Sequence, residues 1–383
     1  MQENNLELLK KLVEFNSIYP NEYEISSFLY NLLLELNFKV EKQYISEKRF
    51  NVLAEKGKGD FSYLLYAHTD TVPIYGRWEN NPFELIIKDN LAIGLGVVDM
   101  KAGIFAILES IKDFEPTNFK LKICFGVDEE NFSEGAFSLT KTNFLDDVKG
   151  VLIPESCLPH SKSSKAAMFI TIGRKGRAVF LIKIKGKSAH GVEKNRGINS
   201  IEEGIKLLNI LKTKSFSQNP NMGKTDFFVR KFEGKTDSFS IPDYAEIELD
   251  FQLVTPDTSK SIKEKIEKII LTLKEKKELK ADFEVTFSDR PTPFLEPFEV
   301  SKNNDFLSIA TKAMKEVYNE VFFNYSDSVA DENVFGALNI PVLTIGPLGD
   351  NHHSANEWVE INSIFSLIEV YKRILNSWLQ PTV

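Results

Sequence analysis

Three apolar runs, each ending in a side chain that can hold a proton or a cation, constrain this chain more than any other feature. "YLLYAH" delivers His68, "KLKICFGVDEE" delivers Glu129 and Glu130, and "GVLIPES" delivers Glu155. In "GVVDMKAG", Asp99 stands in a similar relation, between an apolar run and a helix start. Helical periodicity separates these runs, over 4–16, over 23–37 after the Pro20–Asn21 break, and in "MKAGIFAILESIKDF". Strands alternating with helices over residues 1–155 predict an α/β domain with a mostly parallel sheet. Sites in such sheets form at the carboxyl ends of the strands, so the four endings can converge.

The pattern changes at "GRKGRAVFLIKIKG". From there the order is strand 177–185, helix 198–213, strands 226–233 and 244–254, helix 259–277 and strand 281–287. That is the β-α-β-β-α-β order of a ferredoxin-like α+β unit, and it contains no acid-ended strands. After the break "DRPTPFLEPF" the α/β pattern resumes, with a helix over 303–319 and the strand "IPVLTIG". The expectation is a two-domain chain: a discontinuous catalytic domain of 1–172 and 288–383, and an inserted domain of 173–287. A length of 383 residues agrees with more than one core.

Composition narrows the function classes. A net charge of −8 argues against a nucleic-acid binder, and the lysines of "SIKEKIEKIILTLKEKKELK" alternate with glutamates as on a solvated helix. The two cysteines, Cys124 and Cys157, have no metal-ligand spacing; they read as free core thiols and exclude a thiolate site. No run is long enough to span a membrane, and the N-terminal stretch lacks the pattern of a signal peptide, so the expected location is the cytoplasm.

Each candidate residue has an ordinary reading beside its chemical one. "HTDTVP" is equally a surface turn in which Asp70 caps its own backbone; as a site, Asp70 accepts the second ring N–H of a ligating His68. Asp99 is equally a helix N-cap. Glu129 and Glu130 are equally solvated loop acids, but they follow core residues, where paired carboxylates repel unless a cation compensates. "GDNHHSANEW" adds His352 and His353, so three of the chain's five histidines stand in such settings. Together, imidazoles and carboxylates without sulfur suit zinc, cobalt or manganese. The donor number exceeds one tetrahedral ion and suits two divalent ions about 3.5–4 Å apart sharing a carboxylate.

The ordered set HTD–TVP, DMKAG, DEE–SEGA, PES and HHSANEW resembles the dinuclear zinc aminoacylase and carboxypeptidase family, which includes acetylornithine deacetylase, succinyl-diaminopimelate desuccinylase, aminoacylase and glutamate carboxypeptidase. The resemblance extends over nearly the whole chain, including "RWENNPF", "KSAHGVEKNRGINSI" and "YSDSVADENVFGALNIPVLTIGPLG". It implies that Asp99 bridges two ions, with His68 and Glu155 on one and Glu130 and His353 on the other. It further implies Glu129 as general base toward a water shared by the ions, Asp70 as partner of His68, and His190 of "SAHG" as a carbonyl-binding residue reaching a neighbouring subunit. Without the resemblance, His190 reads as a surface turn histidine. The implied assembly is a homodimer through the inserted domain.

Several positions depart from the family pattern. Leu95 stands where many relatives carry arginine, Phe239 where asparagine is usual, and Lys194 where proline is frequent. Gln252 replaces the arginine that grips a substrate carboxylate, and glutamine cannot form that charged fork. Either Arg174, Arg177 or Arg196 takes over, or the substrate differs at that end. The expected activity is removal of an acyl group from an N-acyl amino acid. The alternatives are a carboxypeptidase or dipeptidase with the same chemistry, and a metal-free binding protein that kept the fold.

Overall fold

The computed structural model describes residues 6–156 and 167–379, so Cys157 lies outside the described residues. Two compact units result. One comprises Met1–Gly173, Glu299–Tyr325 and Ala330–Val383, the other Arg174–Phe298 with Ser326–Val329.

The first unit is built on a central sheet whose middle strands run parallel. Ser62–His68 lies between Lys120–Gly126 and Val148–Ile153, and Val342–Thr344 extends the parallel set beyond Val148–Ile153. Antiparallel strands flank it, Arg49–Gly57 and Lys39–Ser46 on one side and Ala167–Arg174 on the other. Nearly every residue of Ser62–His68 and Lys120–Gly126 is buried, so these strands carry no polar-facing alternation. The helix Ala102–Ile111 is apolar around its circumference because the helix Ile361–Trp378 also packs on it, and Ser110 Oγ reaches the Ile368 carbonyl.

A second, antiparallel sheet in this unit has the order Gly349–Asp350, Trp358–Glu360, Leu91–Ile93 and Ile86–Lys88. Pairing Trp358 with Ile93 sets the loop after Ile93 beside the loop 351–357. These strands are at most three residues long. That is too short for alternation to register, and the sequence reading did not include this sheet.

The second unit has the expected ferredoxin-like order, with strands Asp226–Gly234, Tyr244–Leu253, Gly176–Lys185 and Asp282–Phe287 in one antiparallel sheet. Its helices Ser200–Lys212 and Ser259–Glu275 pack Leu207, Leu211, Ile262 and Ile266 against Phe180, Ile182 and Ile247. Asn199 caps the first helix, and Thr258 with Ser261 forms a capping box on the second. This unit runs on to Phe298 because 295–297 fold back on its first strand, where Arg177 N–H donates to the Leu295 carbonyl.

Candidate metal centre

The parallel strands end at one place. His68 is the last residue of its strand and is buried. Its Nε2 lies 3.1 Å from Asp99 Oδ1. The other oxygen of Asp99, Oδ2, lies 3.3 Å from His353 Nε2, which is 3.1 Å from Glu130 Oε2. Asp99 therefore turns one carboxylate oxygen to each histidine. Asp99 is not a helix cap: the helix after it begins at Ala102 and has no side-chain cap.

These distances fit a cation between the donors. Ligand atoms about 2.0–2.1 Å from a tetrahedral zinc ion are about 3.3 Å from one another. His68, Asp99 and Glu130 can place one donor atom each within 4.8 Å of the others. Glu130 Oε1 is buried without a hydrogen-bond partner. Among the described residues, no lysine or arginine pairs with Asp99 or Glu130. Glu155 follows the strand Val148–Ile153, and its charge acts on Glu129. Gly346 is required beside it, since a Cβ there would meet the Glu155 carbonyl oxygen at 2.1 Å.

Charge and burial oppose each other throughout the cluster. Burial alone would depress His68, but Asp70 and Asp99 hold its pKa well above the usual value. Burial would raise Asp99, but His353 and His68 pull it down. Asp99 and Glu130 push His353 up to about 10. Glu129 is raised well above the carboxylate range, by burial first and then by Glu130, Glu155 and Asp331 against the opposing pull of His68. Glu129 thus has a strong tendency to take up a proton, and among the described residues no lysine or arginine pairs with it.

Asp70 is fully buried and faces His68 with both its main-chain carbonyl and its carboxylate. The nearer acceptor for His68 Nδ1 is the Asp70 main-chain carbonyl at 3.1 Å, with the carboxylate Oδ1 at 3.6 Å. The carboxylate also accepts from the backbone N–H groups of Glu129, at 3.2 Å, and Glu130, at 3.0 Å. One residue so links the histidine to the glutamate pair.

Two participants had no assigned role from sequence. Glu357 is buried and accepts the N–H groups of Gly96, Val98 and Asp99 at 2.8, 2.8 and 3.1 Å. Its burial and the Asp99 charge push it up to about 8. Gly96 has a φ of +70°, which lets the loop turn its amides inward. The signal was the glutamate of "HHSANEW", four residues after His353. Asp331, buried behind Glu129, accepts from the Tyr66 hydroxyl and is pushed up to about 7, burial outweighing that bond and one from Ser133. His353 sits in the loop at a φ of +56°, and His352 beside it acts on Asp99 through its charge.

His190 belongs to the second unit. It is exposed, its Nδ1 accepts from Val192 N–H at 3.4 Å, and its ring meets the exposed Phe239 edge-on at 5.4 Å. Gln252 is exposed on its strand, and Arg177, opposite it in register, forms a two-pronged ion pair with Asp250 at 3.0 and 2.6 Å. Arg196 pairs with Glu193, and the buried Arg174 donates to Ser326 and Ser328. Each of the three arginines proposed as substitutes therefore has polar partners within its own unit. Cys124 is a free, buried thiol, and no described helix is long and apolar enough to cross a membrane.

The fold and this constellation define a hydrolase class, and comparison with known proteins gives its family. Residues 64–377 match Peptidase family M20/M25/M40, and the chain belongs to that family. It is an enzyme acting on amides or peptides. It is 25% identical over 387 residues to a succinyl-diaminopimelate desuccinylase of Ruthia magnifica subsp. Calyptogena magnifica, covering 98% of this chain and 99% of the relative. An acetylornithine deacetylase of Erwinia tasmaniensis is 34% identical over 212 residues, 52% of each chain. The fold is shared with a dinuclear metal binding peptidase from the M20 family of Bacillus subtilis, at a TM-score of 0.73 and 16% identity over 99% of this chain and 98% of that one.

Proposed function

We propose that this enzyme removes the acyl group from an N-acyl amino acid, using two divalent metal ions, zinc first, with cobalt or manganese as alternatives. The observation that carries the reading is Asp99, whose two oxygens face His68 and His353 separately while Glu129 stands nearby with a raised proton affinity. In this reading Asp99 would serve both ions, His68 and Glu155 would hold one, and Glu130 and His353 would hold the other. When bound, the ions lower the pKa of a shared water and polarise the scissile carbonyl. Glu129 accepts the proton of that water and delivers it to the leaving amine nitrogen as the amide C–N bond breaks. Asp70 keeps His68 and the two glutamates in register through its carbonyl and carboxylate. The names of the desuccinylase and deacetylase relatives support acyl transfer to water. The Bacillus peptidase supports two metals, and it favours as second reading a carboxypeptidase or dipeptidase with the same centre.

In this proposal the second unit, 174–298, forms a homodimer and brings His190 to the substrate's carbonyl oxygen in a neighbouring subunit's site. The ion-paired Arg177 and neutral Gln252 favour recognition of the substrate's far end by neutral donors. The deciding experiment is a hydrolysis panel of acetyl-, succinyl- and glutamyl-capped amino acids beside dipeptides, with metal analysis of the purified protein. Cleavage of capped amino acids with one to two equivalents of metal supports the proposal. Cleavage of dipeptides alone selects the second reading, and a stable, metal-free, inactive protein selects a binding function.

A further inference from the structure

Behind the glutamate pair lies a buried ionic knot that the proposed chemistry does not use. Arg49, 7% exposed, opens the strand Arg49–Gly57. Its Nη2 and Nε grip Glu22 at 2.7 to 3.1 Å, its Nη1 donates to Glu134 at 3.1 Å, and the ring of Tyr19 stacks 4.4 Å from its guanidinium carbon. Its remaining contact is a charge pairing from Nη2 to the buried Asp128 Oδ1 at 3.3 Å, without hydrogen-bond geometry. Asp128 is the residue immediately before Glu129. It is fully buried, and its φ of +72° lies in the left-handed region. Its main-chain carbonyl accepts from Ser133 N–H at 2.7 Å and its Oδ2 from Glu134 N–H at 3.0 Å, closing the turn that carries both glutamates.

We infer that Arg49 is a positioning residue for Glu129 and Glu130, acting through Asp128. This rests on the reading above, in which Glu129 moves the proton and Glu130 holds metal. The guanidinium is a rigid planar fork held jointly by Glu22, Glu134 and the Tyr19 ring, so weakening the Glu22 hold alone leaves the edge that meets Asp128 in place. Asp70 restrains the two glutamate amides from the opposite side. The turn is thereby restrained at Asp128 and at its amides, while neither restraint occupies the carboxylates of Glu129 or Glu130. Glu22 and Asp128 share one cation, but only Asp128 is continuous with the turn, and this separates positioning from stability.

The test compares Asp128→Asn with Glu22→Gln in the full-length, metal-saturated enzyme. Asparagine tolerates a left-handed φ and keeps an acceptor for Glu134 N–H, so Asp128→Asn removes chiefly the charge facing Arg49. Both variants should lose thermal stability. Glu22→Gln should keep kcat within about twofold, whereas Asp128→Asn should lower kcat about 10- to 100-fold with little change in KM, as expected for a small misplacement of a reacting group. The visible absorption of the cobalt-substituted protein should move in Asp128→Asn and stay in Glu22→Gln, because Glu130 is a ligand. Arg49→Met combined with Asp128→Asn should cost no more turnover than the worse single change. The inference is overturned if Asp128→Asn matches wild-type turnover and spectrum at equal folded fraction, or if Glu22→Gln loses as much. A wild type that binds no cobalt and cleaves nothing in the panel overturns the hydrolase reading, and this inference with it.

Discussion

The two ends of the same parallel strands treat acids in opposite ways. At the amino ends, Asp147 accepts from Ser62 Oγ at 2.9 Å and is ion-paired with Lys120 and Lys122, of which Lys122 is buried. Burial would raise Asp147, but Lys120, Lys122 and Ser62 bring it down to about 2. At the carboxyl ends, Glu129 and Glu130 are raised, and their nearest charged company is histidine and further acids. Where the chain supplies ammonium groups, the acid belongs to the framework. Where it withholds them, the acids are kept at a cost that only an added cation or a proton-transfer task explains.

The difference can be broken by exchanging what each end depends on. Glu129→Gln should lower kcat about 10²- to 10⁴-fold while metal content, measured by emission spectrometry, stays at the wild-type level, because an amide cannot take the proton. Metal removal should act on the carboxyl end alone. With free metal at about a thousand times its Kd, the loaded protein should be more stable than the chelated one by about 4 kcal/mol, read from denaturant melts. Loss of no stability on chelation would break the comparison. Glu357→Gln should weaken metal about 10- to 100-fold in chelator competition, since its amide cannot accept all three N–H groups that shape the Asp99 loop.

The amino end gives the smallest effect and a different kind. A carboxyl lowered from 3.8 to about 2 contributes about 2 kcal/mol, given in full above its unfolded pKa and lost as pH falls through the folded one. Wild-type stability should therefore decline between about pH 4 and 2, and Asp147→Asn should lack that component while keeping turnover per folded molecule.

How much of this was legible depends on whether the signal was local. Strands buried on both faces announce themselves as unbroken apolar runs, so His68, Glu130 and Glu155 could be placed at strand ends before any coordinates. His353 was legible only through the pattern around it. Arg49 and Asp128 are 79 positions apart, and nothing in "EKRFNV" or "FGVDEE" says that they meet. Nothing in "FLDDVKG" marks Asp147, because its partners lie on a neighbouring strand. The tiny sheet that pairs Trp358 with Ile93 left no periodicity to find.

That tiny sheet has a consequence for biosynthesis. It ties residues near position 90 to residues near 358, and the whole second unit is encoded between them. A ribosome releases the N-terminal side first. His68, Asp99 and Glu130 must then wait, without His353 and without the Glu357 brace on the Asp99 loop, until residues near 358 have been translated. An ion captured earlier would meet only part of the proposed ligand set, so loading is expected to follow synthesis of the loop that carries His353.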